Sequence, residues 1–257
     1  MGVLTSDAKT SYPILAQGGE KRCIGCGHCL AICPTQAISL EKLAQSDCTP
    51  YDKESLPKPE QLSALLRGRR STRQFKNEPV SRIDLGCLVE TTQWAPSAKN
   101  IHPLQWLVVD TAEVRDRLRA QVLEWMQSMI EGENGAMAQK FYGPIVAAAA
   151  IGKDYLFWNA PAMLIAHAKR KITTAPADAS IALSSCELLA TSMGLGTCWA
   201  GYFQYAANHY PPLQQLLQLP EQHVVLGAVL VGHPDVTYQQ IPPRPAATLR
   251  WLADDII

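Results

Sequence analysis

The sequence has 257 residues, of which 47% are hydrophobic, and its 23 basic and 23 acidic residues give a formal net charge of zero. This length allows one large domain with a small module, and the apolar content is sufficient for a sizeable core. A neutral chain lacks the bulk positive charge that attracts proteins to nucleic acid or anionic membranes, so neither partner is expected.

The first residues and the longest apolar runs bear on location. Residues 1–7 have no basic region followed by an apolar one, so no signal peptide is predicted. The longest apolar runs, residues 145–152 and 224–232, are too short to span a bilayer and are predicted to be buried strands. These features predict a soluble cytoplasmic protein.

Near the N-terminus the chain carries the run Cys23-x2-Cys26-x2-Cys29-x3-Cys33-Pro34. Thiolates are soft ligands that bind iron, and this spacing is that of the bacterial ferredoxin run, which holds a 4Fe-4S cluster. Five of the eight cysteines fall within residues 23–48, whereas a disulfide scaffold would spread them along the chain. The run therefore predicts an iron–sulfur site and one-electron chemistry.

The ligand set leaves alternatives open. Gly25 and Gly27 let the backbone approach a cluster closely and present N–H groups to its sulfides. A zinc site is the alternative, with Cys48 or His28 completing four ligands. For a cluster, the fourth ligand is Cys33, Cys48 or a residue upstream.

Cys33 raises a question, because in two-cluster ferredoxins the fourth cysteine of such a run ligates the other cluster. The sequence has no second run. Residues 2–4 resemble residues 36–38, which follow Cys33-Pro34. We therefore expect the chain to begin in the middle of a two-cluster module, which would leave the cluster incomplete.

A polar, proline-rich stretch separates the cysteine segment from the rest. We predict an iron–sulfur segment over residues 1–49, a linker over 50–59 and a second domain over 60–257. In that domain Ser81 is predicted to cap a helix, Gly194 to end one, and isolated Cys87, Cys186 and Cys198 to lie in the core.

The same domain alternates helical and strand patterns. Helices are predicted at the start of the domain (from residue 59), after Ser81, at 112–130 and at 178–193. Strands are predicted at 105–110, 145–151, 162–167 and 224–231. Helices interspersed with non-consecutive strands predict a mixed fold of packed helical and sheet layers.

Two motifs suggest a phosphate-bearing ligand. The run Arg67-Gly68-Arg69-Arg70-Ser71-Thr72-Arg73 places four arginines within seven residues. The planar guanidinium group matches phosphate, although a solvated charged turn is the alternative. The second motif, Ala95-Pro96-Ser97-Ala98-Lys99-Asn100-Ile101-His102-Pro103, precedes the predicted strand at 105–110.

Together these motifs resemble the nitroreductase family of FMN enzymes. Gly194-Leu195-Gly196-Thr197-Cys198-Trp199-Ala200-Gly201 looks like a third family motif, and Pro243-Arg244-Pro245 like the last. The resemblance covers residues 60–257 and implies a three-layer α+β sandwich and a homodimer with FMN between its subunits. The cysteine segment looks like the ferredoxin-type extension of one branch.

The resemblance implies a role for each matching residue. Arg69, Arg70 and Ser71 would hold the FMN phosphate and ribityl chain, Arg244 would close on the phosphate, and Arg73 would lie near the pyrimidine edge. Ala200 and Gly201 would place backbone N–H groups near the flavin N5 and O4. The remaining predicted contacts, to the flavin of the partner subunit, come from Pro96, Ser97 and Asn100.

Some positions keep two interpretations. His102 stands where the family usually has glutamine, and it is either a proton donor to substrate or structural. Cys198 is either a redox thiol or buried filler. Trp199, Tyr202 and Phe203 either line the ring pocket or pack in the core.

The resulting hypothesis is an FMN-dependent oxidoreductase that reduces nitroaromatics, quinones or similar small acceptors by a ping-pong mechanism. Electrons would enter through the N-terminal 4Fe-4S cluster from an external donor, either ferredoxin or NAD(P)H. The alternatives are a flavin and iron–sulfur electron carrier or redox sensor without its own substrate, and a zinc-stabilised binding module.

Overall fold

The computed structural model describes residues 2–7, 9–10, 12–133 and 135–251. Within these residues the helices and strands are β1 (Leu4–Ser6), β2 (Pro13–Leu15), α1 (Gly19–Arg22), α2 (His28–Ile32), α3 (Pro59–Gly68), α4 (Arg82–Thr91), β3 (Gln105–Val109), α5 (Ala112–Glu131), α6 (Gly135–Ala150), β4 (Ala162–Lys169), α7 (Ala175–Ser192), β5 (Gly196–Trp199), α8 (Gly201–His209), α9 (Pro211–Leu217) and β6 (His223–Gly232). Single 3-10 turns occur at Gln45–Asp47, Lys53–Ser55, Thr92–Trp94 and Ala98–Asn100.

The main sheet has four strands in the order β3-β4-β6-β5, and every neighbouring pair is antiparallel. The central strand β4 is buried along almost its whole length. Leu164 of β4 pairs with Val108 on one side and Val229 on the other. Strand β5 lies at the edge, where Ser71 pairs with Thr197 in a parallel bridge.

Helices cover both faces of this sheet. Alternate residues of β4 point to opposite faces, and they enter two separate apolar clusters. Met163 and Ile165 pack in a cluster with α5, α6, α8 and α9. Ala162, Leu164 and Ala166 pack in another with α4 and α7. The arrangement confirms the predicted three-layer α+β sandwich.

Local signals placed several elements correctly. Ser81 caps α4, since its Oγ accepts the backbone N–H of Asp84 at 3.0 Å. Gly194 follows α7 with a left-handed φ of 75°. The predicted strands at 105–110, 162–167 and 224–231 correspond to β3, β4 and β6.

The strand predicted at residues 145–151 is wrong, because residues 145–150 belong to helix α6 and Ile151 follows it in a turn. An apolar run of this length does not distinguish a buried strand from a buried helix. The run is mostly alanine, the best helix former, and Ile145 and Ala148 turn one face inward at helical spacing. No helix in the described chain is both long and apolar enough to cross a membrane.

The three isolated cysteines differ in their surroundings. Cys186 and Cys198 are buried, as predicted, and burial raises the pKa of the Cys186 thiol to about 12. Cys87 is exposed, so its predicted place in the core is wrong. It lies on α4 one position before the fully buried Leu88, and that single step turns the side chain away from the sheet.

The N-terminal segment has little core. Strands β1 and β2 form an exposed hairpin, and within the described part of residues 2–49 only Gly19 and Leu30 are buried. The Arg22 guanidinium group ties the hairpin to α1 by donating to the carbonyl oxygens of Gly2 and Gln17, at 2.8 and 3.1 Å. Residues 49–59 are exposed throughout.

Candidate functional site

The cysteine run folds into a loop followed by helix α2. Gly25 and Gly27 have left-handed φ values of 64° and 70°, which glycine adopts without strain. Gly27 precedes α2, Cys29 lies on α2, and Cys33 follows it. The glycines therefore let one short loop present several thiols on the protein surface.

Cys33 has surroundings that favour the thiolate. The Thr35 hydroxyl lies 3.6 Å from the Cys33 Sγ and is the main cause of a lowered pKa, to which the Ala37 backbone N–H adds. The thiolate is the form that binds iron. Cys48 instead directs its thiol to the carbonyl oxygen of Ala44, at 3.8 Å.

The cysteine loop carries the donors that an iron–sulfur cluster takes. A cubane distributes its cysteine ligands over four irons, so its thiolates surround a larger body than a zinc ion does. The donor set and the two left-handed glycines fit such a cluster.

The arginine loop runs along the edge of β5. The Thr72 N–H donates to the Thr197 carbonyl oxygen at 2.8 Å, next to the Ser71–Thr197 bridge. The Arg70 guanidinium group turns back and donates to the carbonyl oxygens of Arg67 and Arg69, where α3 ends. These contacts fix the loop on the sheet rather than leaving it a solvated turn.

Glu187 connects this loop to the next motif. Its carboxylate, 5% exposed, accepts from the Thr197 hydroxyl at 2.9 Å and from the Trp199 indole N–H at 2.6 Å. The same carboxylate lies 3.5 Å from the Arg69 guanidinium group. The sequence did not predict a role for Glu187. The one signal it offered was a lone carboxylate within the apolar helix α7.

Arg73 lies on the other side of this edge, near two residues. Its guanidinium carbon is 5.9 Å from the centre of the Trp158 ring, within cation–π range. Trp158 has a left-handed φ of 56°, which is rare for a bulky residue and concentrates at functional sites. Burial raises the pKa of Cys198, which Arg73 opposes in part, so a neutral buried thiol is favoured over a redox thiolate.

Strand β5 leads into the N-terminus of α8, where Ala200 and Gly201 lie. The Ala200 N–H donates to the Ala228 carbonyl oxygen at 2.9 Å, so the N–H that was predicted to lie near the flavin is already paired within the fold. Gly201 is exposed, and a Cβ placed there would meet nothing within 4 Å. Its N–H lies at the N-terminal, positive end of α8.

The aromatic residues that follow divide between two roles. Phe203 is fully buried in the core, and Tyr202 packs edge-on against Tyr142 with ring centres 5.7 Å apart. Trp199 is partly exposed and bonded to Glu187. Trp199 and Tyr202, which are both partly exposed, therefore remain candidates for the pocket wall.

The Pro96–His102 loop forms a second group. Ser97 Oγ accepts the His102 backbone N–H at 3.0 Å, and His102 Nε2 lies 2.8 Å from Asn100 Oδ1. The Asp178 carboxylate on α7 accepts the Ala98 N–H at 3.1 Å. Pro96, Ser97, His102 and Asp178 border one small cleft.

The structure thus brings the predicted residues into separate groups. Ser71 pairs with Thr197 on β5 and Arg69 reaches Glu187, which binds the same strand, whereas no hydrogen bond or ion pair among the described residues joins them to the Pro96–His102 loop. Arg244 lies exposed in the extended segment after β6.

Comparison with known protein families shows which family the chain belongs to. The nitroreductase family profile matches residues 66–233, well over half of the chain. The chain belongs to the nitroreductase family. A second profile, the 4Fe-4S binding domain, matches residues 19–39, which include all four cysteines of the run.

Curated members of this family show moderate similarity to the chain. It is 24% identical over 229 residues to the 4-nitrobenzoate reductase of a Nocardioides species, covering 78% of this chain and 90% of that protein. It is 27% identical over 169 residues to the FMN reductase [NAD(P)H] of Bacillus subtilis, and the match covers 66% of this chain and 64% of that protein.

Solved nitroreductase structures share the fold. A nitroreductase from Desulfitobacterium hafniense with bound FMN is 26% identical, with a TM-score of 0.58, covering 72% of this chain and 93% of that one. A nitroreductase from Bacteroides fragilis, also with bound FMN, has a TM-score of 0.61 at 19% identity, covering 75% and 99%.

Proposed function

We propose that this nitroreductase is an FMN-dependent oxidoreductase that reduces nitroaromatics, quinones or similar small acceptors by a ping-pong mechanism, with electrons entering through its N-terminal 4Fe-4S cluster. One observation carries the proposal: Arg69, Ser71 and Arg73 line the edge of β5, which ends at the open N-terminus of α8 at Gly201. The named activities and bound FMN of its relatives support it.

The arginine loop is proposed to hold the FMN phosphate and ribityl chain through Arg69, Arg70 and Ser71. Glu187 keeps the Arg69 guanidinium group in place without enclosing it, since that side chain remains one-third exposed. Arg244, on the extended C-terminal segment, is free to close on the phosphate. Charge-assisted, bidentate bonds of this kind are the strong ones.

Arg73 and Gly201 are proposed to face the flavin ring. A fixed cation near the pyrimidine edge favours negative charge there, and Trp158 below the guanidinium group restricts where that cation points. The absent side chain at Gly201 lets the backbone N–H approach the ring. FMN, when bound, accepts electrons from a donor and passes them to the acceptor.

The Pro96–His102 loop is proposed to reach the flavin of the partner subunit in a homodimer, through Pro96, Ser97 and Asn100. This arrangement would explain why the loop and the β5 group stay apart in one chain. His102 is held by Asn100 and Ser97, which suits a positioned side chain at the pocket rim.

The proposed domains would let electrons enter at the N-terminal segment and pass to the FMN domain. We propose an iron–sulfur segment over residues 1–49, a linker over 50–59 and an FMN domain over 60–257, in the cytoplasm. Cys23, Cys26, Cys29 and Cys33 would hold the cluster, and ferredoxin or NAD(P)H would be the external donor. A one-electron donor could load the flavin through the cluster, whereas NAD(P)H delivers hydride to flavin directly.

Anaerobic turnover tests the proposed enzyme. Purified protein is assayed for iron, sulfide and FMN, then for reduction of 4-nitrobenzoate and a quinone, first with reduced ferredoxin and then with NAD(P)H. The proposal expects both cofactors and turnover with at least one donor. Bound FMN without turnover from either donor would contradict the enzyme and favour an electron carrier or redox sensor.

A further inference from the structure

The cysteine loop touches the Pro96–His102 loop in the same chain. The Asn100 side-chain Nδ2 donates to the Gly25 carbonyl oxygen at 3.3 Å, although the two residues are 75 positions apart in sequence. Gly25 lies between Cys23 and Cys26, two of the four cysteines of the run. The contact therefore joins the proposed cluster site to the loop that is proposed to reach the flavin of the partner subunit.

The Asn100 amide is held at both ends. Its Oδ1 lies 2.8 Å from His102 Nε2, while its Nδ2 faces Gly25. Because an amide oxygen can only accept a hydrogen bond, the Nε2 atom of His102 must carry a proton and donate it to the Asn100 oxygen. The His102 backbone N–H in turn donates to Ser97 Oγ. A continuous polar chain thus runs from Gly25 to Ser97.

The backbone of both loops is left-handed at the residues that make this contact. Lys99, Asn100 and His102 have φ values of 52°, 56° and 45°, and Gly25 has 64°. A left-handed conformation is unfavourable for most L-residues, and only glycine and, to a lesser degree, asparagine and aspartate adopt it routinely. Three such residues in one short loop show that the surrounding fold holds the loop in a set shape.

We propose that Asn100 is a positioning residue that seats the cysteine loop on the Pro96–His102 loop and so fixes the distance between the cluster and the flavin of the partner subunit. The inference rests on the proposed entry of electrons through the cluster. In that step one electron leaves the cluster and one arrives at the flavin, with no bond made or broken. Its rate depends on how firmly the two sites are held together.

Two variants separate this role from others. Asn100→Asp keeps tolerance for the left-handed conformation and an oxygen for His102, but it replaces the donor to Gly25 with an acceptor. Lys99→Asn is the matched control, since Lys99 is an exposed neighbour in the same conformation. If the aspartate variant does not fold, Asn100→Gly removes both side-chain bonds while keeping the backbone.

The experiment uses holoenzyme with both cofactors counted. Hydrogen exchange is measured over residues 23–29. The cluster is reduced by a light flash, and the rate of electron transfer to the flavin is then followed and divided by the amount of flavin bound. We expect faster exchange and about tenfold slower transfer in Asn100→Asp, and wild-type behaviour in Lys99→Asn. Unchanged exchange in Asn100→Asp, or faster exchange with an unchanged transfer rate, would overturn the role of Asn100.

Failure of the proposed function gives a different result. In that case the flavin of the wild-type protein would stay oxidised after its cluster is reduced, whatever the variants do. Hydrogen exchange in Asn100→Asp would still report whether Asn100 seats the loop. The two ideas are therefore tested by separate signals in one protein.

Discussion

The indole N–H of Trp199 donates to the Glu187 carboxylate at 2.6 Å, which ties the end of β5 to helix α7. Because Thr197 and Arg69 use the same carboxylate, one buried acidic group organises the strand edge, an aromatic wall and a proposed phosphate ligand. This sharing of one group explains how the motifs at residues 67–73 and 194–201 act together.

Glu187→Gln should destabilise the protein. A glutamine keeps one oxygen acceptor, so one of the buried donors from Thr197 and Trp199 loses its partner and would face an amide N–H. We expect the free energy of unfolding to fall by about 1–3 kcal/mol. Denaturant unfolding measures it, with exposed Glu90→Gln as control. Equal losses in both variants would show that burial of this carboxylate is unimportant.

Arg69→Ala should weaken FMN binding. Hydrogen bonds to charged groups contribute roughly 1.5–3 kcal/mol, which corresponds to a loss of about tenfold or more in affinity. Quenching of FMN fluorescence on titration gives the Kd. Arg67→Ala, on the exposed last turn of α3, is the control and should bind FMN as the wild type does. A wild-type Kd in Arg69→Ala would exclude this arginine from the site.

Gly196→Ala should destabilise the edge of β5. The added Cβ would lie 2.8 Å from the Cβ of Thr72, whose side chain is only 2% exposed and cannot easily move. We expect a loss of about 1–3 kcal/mol. Gly86→Ala on helix α4 is the control with the opposite sign, because its Cβ meets nothing within 4 Å and alanine favours helix. Thermal melts that show no loss for Gly196→Ala would contradict the packing.

His167 should make stability depend on pH. Burial lowers the pKa of His167 below its ordinary value of 6.5. The charge of His223, whose Nδ1 atom lies 2.9 Å from that of His167, lowers this pKa further. The unfolded chain takes up this proton at higher pH than the folded protein does. Stability is therefore present above pH 6.5 and is lost as pH falls through that value towards the lower folded pKa.

His167→Gln should flatten that dependence, measured as unfolding free energy between ~pH 7 and ~pH 5. Exposed His209→Gln is the control and should keep the wild-type slope. The same slope in His167→Gln as in the wild type would show that another group causes it.

Much of the fold could be predicted from local signals. The cap at Ser81, the glycine after α7 and the apolar runs of β4 and β6 depend on neighbouring residues, which a sequence shows directly. The run at residues 145–151 could not be assigned, because its apolar length suits a strand and a buried helix equally. Only packing against α5 decides between them.

The candidate site was predictable where motifs are contiguous. The arginines and the cysteines follow one another closely, so their spacing carries the chemistry. Glu187 and the contact between Asn100 and Gly25 depend on residues far apart in sequence, which only the folded chain brings together. Ala200 was assigned a free N–H because a motif does not show that the Ala228 carbonyl oxygen already accepts it.

Electron entry through the cysteine run is tested most directly by the rate at which reduced ferredoxin reduces the bound flavin, compared between Cys26→Ala and the wild type. Exposed Cys87→Ala is the matched control outside the run. We expect Cys26→Ala to lose ferredoxin-driven flavin reduction while Cys87→Ala keeps it. Equal rates in all three proteins would show that electrons do not enter through the cysteine run.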